Sequence, residues 1–274
     1  MKYNLNLMNI KGEDDFSQLD TLKSVGWDGF FSGWTDIYVN EKLADHAAKI
    51  GLKYQSIHAK IGRVDKLWDD GEDGDEEVKN QIDCISGAKT LGVDLVILHT
   101  IIGMEKCSPT ALGVERYGKI FEHAKKLGVT VALENTEGEI YLETLINAYK
   151  NEDTVRFCID TGHEMCYNHN SDLITKYADK LVCTHINDNL GQTGEKITFF
   201  DDSHLVPFDG VADWRGVAKR LNKAGYRGDI TLELIRYSRP NRNTHDIYGD
   251  MSCHDYFALA LERAKIISSM LDVK

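Results

Sequence analysis

Short runs of strand-forming residues alternate with longer helical patterns along the whole chain of 274 residues. This alternation is typical of repeated strand–helix units whose strands lie parallel in one sheet. Eight runs predict strands, at residues 3–8, 27–32, 53–58, 94–99, 129–134, 155–160, 181–185 and 229–233. The chain is therefore expected to fold around one eight-stranded parallel sheet.

Helical patterns fill the intervals between these strands, at residues 41–50, 76–91, 112–127, 141–149 and 214–224, and a last helix is expected at 252–271. Gly51, Gly92 and Gly128 each stand between a helical pattern and the next strand, where a glycine cap commonly ends a helix. Eight even units match a closed (β/α)₈ barrel, the TIM barrel, better than a doubly wound sheet. We expect a single α/β barrel domain that covers residues 1–274.

The formal net charge of −12 argues against a general affinity for nucleic acid, because an acidic surface repels phosphate backbones. The first residues contain no long apolar run and lead to Glu13, Asp14 and Asp15, so neither a secretory signal nor a membrane span is expected. The six cysteines form no CxxC pair, and several lie in apolar strand patterns. This usage is typical of buried free thiols in a reducing cytoplasm, where we expect the protein to reside.

Six successive predicted strands end on a residue that can bind a metal ion. In a barrel these carboxyl ends build the active face. Alternation along each strand turns the terminal carboxylates into the barrel, where burial is costly unless a cation pairs with them. A metal site is therefore predicted from the six strand ends, which are His58, His99, Glu134, Asp160, His185 and Glu233.

Further polar residues flank these strand ends. His163 comes three residues after the sixth strand, and Asp202 and His204 form a D-x-H pair in the long loop after the seventh. Together with His58 and His99, they are candidates for substrate contacts or for a second metal ion. Four more residues follow or flank strand ends and are candidates for the substrate pocket, namely Asp188, Arg236, Trp34 and Trp68. For the two tryptophans, packing on the barrel rim is the alternative interpretation.

Five segments carry a resemblance to a known family. They are Leu133-Glu134-Asn135-Thr136, Cys158-Ile159-Asp160-Thr161-Gly162-His163, His185-Ile186-Asn187-Asp188-Asn189, Asp202-Ser203-His204-Leu205 and Leu232-Glu233-Leu234. In these segments the sequence resembles the xylose-isomerase-like barrel superfamily of sugar and sugar-phosphate isomerases and epimerases, which also contains endonuclease IV. The resemblance extends over nearly the whole chain, from the first strand to the last helix.

The resemblance implies a metal-dependent enzyme that acts on a small sugar, polyol or sugar phosphate. By similarity to the ketose 3-epimerases, Glu134, Asp160, His185 and Glu233 would bind one divalent ion, which we expect to be Mn²⁺, Mg²⁺, Co²⁺ or Zn²⁺. The two glutamates would also be the catalytic acid and base on opposite faces of the sugar, and His163 would contact substrate oxygens. Proton transfer through a metal-stabilised enediolate would then give epimerisation or isomerisation.

Three alternatives remain open on the sequence. Dehydration of an inosose uses the same groups, and a sugar-binding barrel without turnover keeps the same fold. Similarity to endonuclease IV implies up to three zinc ions and phosphodiester cleavage, although residues 99–103 lack the Pro-Gly-Ser of the nucleases and the first strand lacks their Gly-x-His. The residues implied around two of those ions are His58, His99 and Glu134 for one and His163, Asp202 and His204 for the other. Assembly into a homo-oligomer is also left open.

Overall fold

The computed structural model describes residues 1–103, 108–168 and 171–272. Within them eight strands run parallel in one sheet, which confirms the predicted (β/α)₈ barrel. Each strand lies where the sequence predicts it, with ends that agree within two residues. The strands are β1 (Tyr3–Asn6), β2 (Gly29–Gly33), β3 (Lys53–His58), β4 (Leu95–His99), β5 (Thr130–Glu134), β6 (Val155–Asp160), β7 (Leu181–His185) and β8 (Ile230–Leu232).

The barrel closes at a seam between β7 and β8, the two ends of the strand order β7-β6-β5-β4-β3-β2-β1-β8. Ile186, the residue after β7, forms the bridge with Leu232 of β8. The N–H of Ile186 donates to the carbonyl of Thr231 at 2.9 Å, and its carbonyl accepts from the N–H of Glu233 at 3.2 Å. Closure therefore also fixes the main chain of a predicted metal ligand.

The helices alternate with the strands along the chain, as predicted, and three 3₁₀ segments lie in the loops, at Val64–Trp68, Phe199–Asp201 and Asp246–Tyr248. The α-helices found in the described residues are α1 (Asp15–Val25), α2 (Ile37–Ile50), α3 (Glu72–Thr90), α4 (Ala111–Leu127), α5 (Glu139–Ala148), α6 (Thr161–Cys166), α7 (Leu173–Lys176), α8 (Trp214–Lys223) and α9 (Cys253–Ser269).

The helices differ from the sequence prediction at several places. Helices α6 and α7 lie outside the predicted stretches, and α2 begins at Ile37, four residues before its predicted start. The predicted stretches do not include α1, whose buried face is narrow and consists of Gln18, Leu19 and Leu22, so its periodic signal is weak. Helix α3 begins at Glu72, four residues before the predicted start. Its first turn is rich in acidic residues, which favour a helix N-terminus because they oppose the positive end of the helix dipole.

Apolar residues form two separate layers. The larger one lies between the strands and the outer helices, as the outward-facing alternation predicts. The smaller one lies inside the barrel, and we call it the floor layer. Each of its members stands two residues before a strand end and therefore points the same way as that end, one step lower. The floor layer consists of Ile97, Ala132, Cys158 and Cys183.

Two further predictions concern the state of the cysteines and the presence of a membrane-spanning helix. The five cysteines that fall within the described residues are free and buried, as predicted, whereas Cys107 lies outside the described residues. Across the described ranges, every helix is too short or too polar to cross a lipid bilayer.

The side chain of Trp68, the last residue of the Val64–Trp68 segment, packs into the interior of the protein. It does not reach the open end of the barrel. Its side chain is 3% exposed, and its Nε1 donates to the carbonyl of Thr100 at 2.7 Å. Gly113 of α4 lies directly against the indole, because a Cβ added there would stand 2.1 Å from a ring carbon. Trp68 therefore fastens α4 to the loops after β3 and β4, and the structure does not support a direct role in the substrate pocket.

This contact predicts that Gly113→Ala destabilises the protein although alanine is the better helix former. Overpacking typically costs about 1–3 kcal/mol, so we expect a loss of that order in the free energy of unfolding. Chemical denaturation measures the change. In the same helix, Glu115→Ala alters an exposed residue and is expected to change stability by no more than about 0.5 kcal/mol. Equal stability of the two variants would contradict the close packing of Trp68.

Candidate metal centre and cleft

A cleft of about 420 Å³ opens at the carboxyl ends of the barrel strands. This volume is within the range of sites for small molecules. The sequence-predicted residues that line it directly are His58, His99, His163, Asp202, His204, Glu233 and Trp34. Glu134, Asp160 and His185 lie just beneath, each with no exposed surface. The structure therefore brings the six predicted strand ends and the D-x-H pair to one place.

Glu134 lies at the centre of the base of the cleft, and three imidazole rings contact it. Nδ1 of His185 lies 2.9 Å from Oε1. Nε2 of His58 and Nε2 of His99 lie 3.0 and 3.2 Å from Oε2. Burial alone would raise the pKa of this carboxyl, but its attraction to His185 and the hydrogen bonds from the three rings outweigh burial. The pKa of Glu134 is therefore well below its usual range, and the group is a carboxylate.

Asp160 occupies the N-cap of α6, where N–H groups hold its carboxyl group. Its Oδ1 accepts from the main chain of His163 at 2.6 Å, and its Oδ2 accepts from the amide of Asn187 at 2.8 Å. Asn135 fixes the main chain, since its Oδ1 accepts from the N–H of Asp160 at 2.8 Å. Burial raises the pKa of Asp160 to about 7 in spite of attraction to His163 and His204. The ionised carboxylate is therefore short of positive charge around it.

The ring of His185 links the two glutamates and is itself held by an aromatic neighbour. Phe31 stacks on it with ring centroids 4.6 Å apart and planes inclined by 6°. Its Nδ1 lies 3.3 Å from Oε2 of Glu233, whose side chain is 20% exposed and faces the cleft. Burial raises the pKa of Glu233, but attraction to His185 outweighs it and brings the pKa to about 2.

Four side chains fit a divalent metal ion. Glu134, Asp160, His185 and Glu233 each offer a ligand atom, and these atoms lie within 4.8 Å of one another. Ligands of a bound ion stand about 2.0–2.2 Å from it, so a small inward movement would complete the site. Three carboxylates and one imidazole are an oxygen-rich set that suits Mn²⁺, Mg²⁺ or Co²⁺ and also admits Zn²⁺. The high pKa of Asp160 agrees with a site that requires a cation.

Two imidazoles at the side of the cleft converge on Asp202. Nδ1 of His163 lies 2.9 Å from the carbonyl of Asn135, and Nδ1 of His204 lies 3.0 Å from the carbonyl of Glu233. The Nε2 atoms lie 3.3 and 2.9 Å from Oδ2 of Asp202. Burial would lower the pKa of His204, but Asp202 outweighs burial and raises it to about 9. Rings fixed at Nδ1 in this way present Nε2 to a metal ion, a proton or a substrate oxygen.

Asp188 and Arg236, two other pocket candidates, serve the loops instead of the cleft. The carboxylate of Asp188 accepts from the N–H groups of Asn189, Phe208 and Ala212 and from Nε1 of Trp214, at 2.9–3.0 Å. Arg236 is buried and donates to the carbonyls of Tyr248 and Met251, with its guanidinium 4.9 Å from the ring of Tyr256. In the sequence, a polar residue near a strand end looks the same whether its side chain lines the cleft or binds the main chain of a loop.

Sequence reasoning missed several residues of the site. Asn135 and Asn187 hold Asp160, and Phe31 holds His185, as described above. Arg239 lines the cleft from the loop after β8, with its Nε donating to the carbonyl of Asp202 at 3.1 Å. Its guanidinium stacks 4.0 Å from the ring of Phe199. Asn135 and Asn187 could have been predicted, because each is a polar residue just after a predicted metal ligand. Arg239 lies in an irregular loop, where no regular spacing in the sequence points to it.

Fold and donor groups together define a TIM barrel with candidate metal-binding groups at the carboxyl ends of its strands. The chain belongs to the xylose isomerase-like TIM barrel family, whose sequence profile matches residues 19–250. This agrees with the resemblance found in the sequence.

Three curated relatives match parts of the chain. The uncharacterized protein y4fM of Sinorhizobium fredii is 30% identical over an alignment of 179 positions, which covers 59% of this chain and 53% of that protein. An inosose dehydratase of Serratia proteamaculans is 29% identical over 134 residues, or 43% and 45% of the two chains. A probable endonuclease 4 of Trichlorobacter lovleyi is 24% identical over 192 residues, or 60% and 67%. The chain thus spans about half the length of the first two relatives.

Solved structures of low sequence identity share the fold over the whole chain. The IolI protein with a bound zinc atom has a TM-score of 0.78 at 19% identity, with 100% of each chain covered. D-psicose 3-epimerase from Clostridium cellulolyticum H10, solved with D-tagatose, has a TM-score of 0.74 at 16% identity, with 97% of this chain and 99% of that chain covered. Metal binding is thus seen in a protein of the same fold.

The four hydrogen bonds to Asp188 predict a structural effect of its removal. Asp188→Ala should lower the free energy of unfolding by about 3 kcal/mol or more, because a hydrogen bond to a charged group contributes about 1.5–3 kcal/mol. Chemical denaturation measures this loss. Asp213→Ala is the control, since Asp213 accepts one N-cap bond, from Gly216, and should cost about 1 kcal/mol. A stable Asp188→Ala protein with weakened substrate binding would instead assign Asp188 to the pocket.

Proposed function

We propose that this protein is a metal-dependent isomerase or epimerase of a small sugar or sugar phosphate. The observation that carries the proposal is the four-donor group at the base of the cleft, in which Glu134 and Glu233 both contact His185. An ion held by these four side chains would lie beside two carboxylates, at a cleft of about 420 Å³, which is a volume that suits a small-molecule substrate. The fold shared with sugar epimerases supports the same reaction class.

Glu134, Asp160, His185 and Glu233 are the residues that would hold the ion. When bound, a divalent ion polarises a carbonyl and lowers the cost of negative charge that develops on its oxygen. The rest of the chemistry belongs to the side chains.

The two glutamates supply the proton transfers. Glu233 is partly exposed to the cleft and has a pKa of about 2, so it is ionised and able to accept a proton from the carbon next to a carbonyl group. Glu134 contacts the same Nδ1 atom of His185, at 2.9 Å. We assign to it the proton exchange at the opposite face of the sugar. Return of the proton to the same carbon from that face gives epimerisation, whereas return to the neighbouring carbon gives aldose–ketose isomerisation.

The histidines beside Asp202 orient the substrate. Asp160 and Asp202 raise the pKa of His163 above its usual value, and Asp202 raises that of His204, although burial opposes both shifts. Both rings are therefore positively charged near neutral pH, and their N–H groups can donate hydrogen bonds to substrate hydroxyl oxygens. Asp202, together with the neighbouring Asp160, offsets the positive charge of the two rings within a buried group.

Glu134→Gln and Glu233→Gln test the acid and base roles. Each substitution keeps the shape and removes the proton acceptor, so we expect turnover to fall by about 100-fold or more. A panel of ketoses, aldoses and sugar phosphates, assayed in deuterated water for exchange beside the carbonyl, gives the measurement, with bound metal quantified in each variant. Glu115→Gln, an exposed residue of α4, is the control. Full turnover by both glutamine variants with metal bound would refute these roles.

Dehydration of an inosose is a second candidate, favoured by the partial match to an inosose dehydratase. It begins with the same proton abstraction and ends with loss of a β-hydroxyl group. The substrate panel should therefore include inososes, with the product analysed for loss of water. Turnover of these alone, without epimerisation of any sugar, would move the assignment to dehydratase.

Phosphodiester cleavage is a third candidate because further residues that could bind metal ions lie close together in the structure. Ligand atoms of His58, His99 and Glu134 lie within 4.8 Å of one another, and those of Asp160, His163 and His204 do the same. The net charge of −12 opposes binding to DNA.

We predict that the zinc-loaded protein leaves an abasic-site duplex uncut under conditions in which it turns over a sugar. The negative net charge and the small volume of the cleft, about 420 Å³, are the physical reasons. Gel analysis of the oligonucleotide gives the readout, and elemental analysis counts zinc per chain. Nearly three zinc ions together with incision would assign the protein to the nucleases.

A further inference from the structure

A pair of thiols lies inside the barrel below the carboxylate site and takes no part in the proposed reaction. Cys158 on β6 and Cys183 on β7 are register partners on neighbouring strands, so their side chains leave the sheet on the same face. Each stands two residues before a predicted metal ligand, Asp160 and His185, which are also register partners. The thiols are 0% and 1% exposed. They therefore lie one side-chain step beneath the carboxylate site.

The ring of His185 completes a group of three donors with these thiols. One ring nitrogen and the sulfurs of Cys158 and Cys183 all lie within 4.8 Å of one another. Nδ1 faces Glu134 and Glu233, at 2.9 and 3.3 Å. Nε2 is buried and has no hydrogen-bond partner among the residues that the structure describes. Since buried polar atoms are nearly always paired, the unpaired Nε2 indicates a ligand that protein atoms do not supply.

We propose that Cys158, Cys183 and His185 form a second cation site, for a thiophilic divalent ion such as Zn²⁺ or Cd²⁺. Thiolate ligands select such ions, whereas Mg²⁺ and Mn²⁺ prefer the oxygen-rich site above. The ion takes the place of the two thiol protons and of the proton on Nε2 of His185, and all of these protons pass to solvent. When another ion is bound at Nδ1, the ring bridges the two ions as an imidazolate. The two thiolates then balance the charge of the ion in the second site.

The surroundings suit a neutral complex of this kind. Ile97 and Ala132 share the floor layer with the two cysteines and present apolar surface, which tolerates a neutral group and penalises a charged one. The side-chain amide of Gln55 reaches the same place from β3, with Nε2 3.7 Å from the sulfur of Cys183. A half-turn of this amide would offer its oxygen as a fourth ligand.

Cadmium binding to the wild-type protein tests the proposal. The protein is loaded with Mn²⁺, which prefers oxygen ligands, and then titrated with Cd²⁺ to saturation. We expect an ultraviolet thiolate-to-cadmium charge-transfer band that saturates, and X-ray absorption that shows two sulfur neighbours for the ion in this site. A saturated protein without sulfur neighbours would overturn the proposal. Neither result depends on whether the protein turns over a sugar.

Variants assign the band to these residues. Cys158→Ser and Cys183→Ser should each abolish most of the band, whereas Cys84→Ser, a buried cysteine of α3 outside the floor layer, should leave it unchanged. A band that survives both floor-layer substitutions would place the ion elsewhere and overturn the proposal. If either variant fails to fold, the sulfur count in the wild-type protein still decides.

Discussion

The main chain of Ile186 holds the ends of the sheet together, and the arrangement of the cleft depends on this seam. Strands in a sheet lie about 4.8 Å apart, so the ends of eight strands in an open sheet would be spread along an edge of roughly 34 Å. Closure bends that edge into a ring around one cavity. Residues that are remote in sequence, such as His58, Glu134 and Glu233, then meet at its centre. The same seam positions Glu233 through its own N–H.

Glu134 and Asp160 are both buried at the base of the cleft, but the charges around their carboxyl groups differ. Three imidazoles surround Glu134 and keep it ionised, whereas Asp160 receives hydrogen bonds from a main-chain N–H and an amide and has a pKa of about 7. Asp160 is therefore well supplied with hydrogen-bond donors but short of nearby positive charge. A divalent ion held by the four candidate ligands would relieve that shortage, because it would contact three carboxylates at once.

Most of the fold and the base of the site follow from two periodic signals. Alternation of strand and helix patterns gave all eight strands, and alternation within strands gave the inward direction of Glu134, Asp160 and Glu233. These signals work because the geometry of a parallel barrel leaves little choice once the strands are known. The sequence could not separate His204, which lies in the cleft, from Asp188, which binds loop amides. Whether such a side chain reaches the cleft depends on the path of an irregular loop. The hydrogen bonds that fix this path leave no periodic pattern in the sequence.

The anchoring of His163 and His204 on carbonyl groups of the main chain has an evolutionary consequence. Every residue type supplies a carbonyl, so the orientation of the two rings survives substitution at Asn135 or Glu233 as long as the backbone is kept. Loop residues at the rim, such as Phe199 and Arg239, are free of this constraint. Descendants of such a barrel can therefore change the side chains at the rim of the cleft while they inherit the orientation of the two rings unchanged.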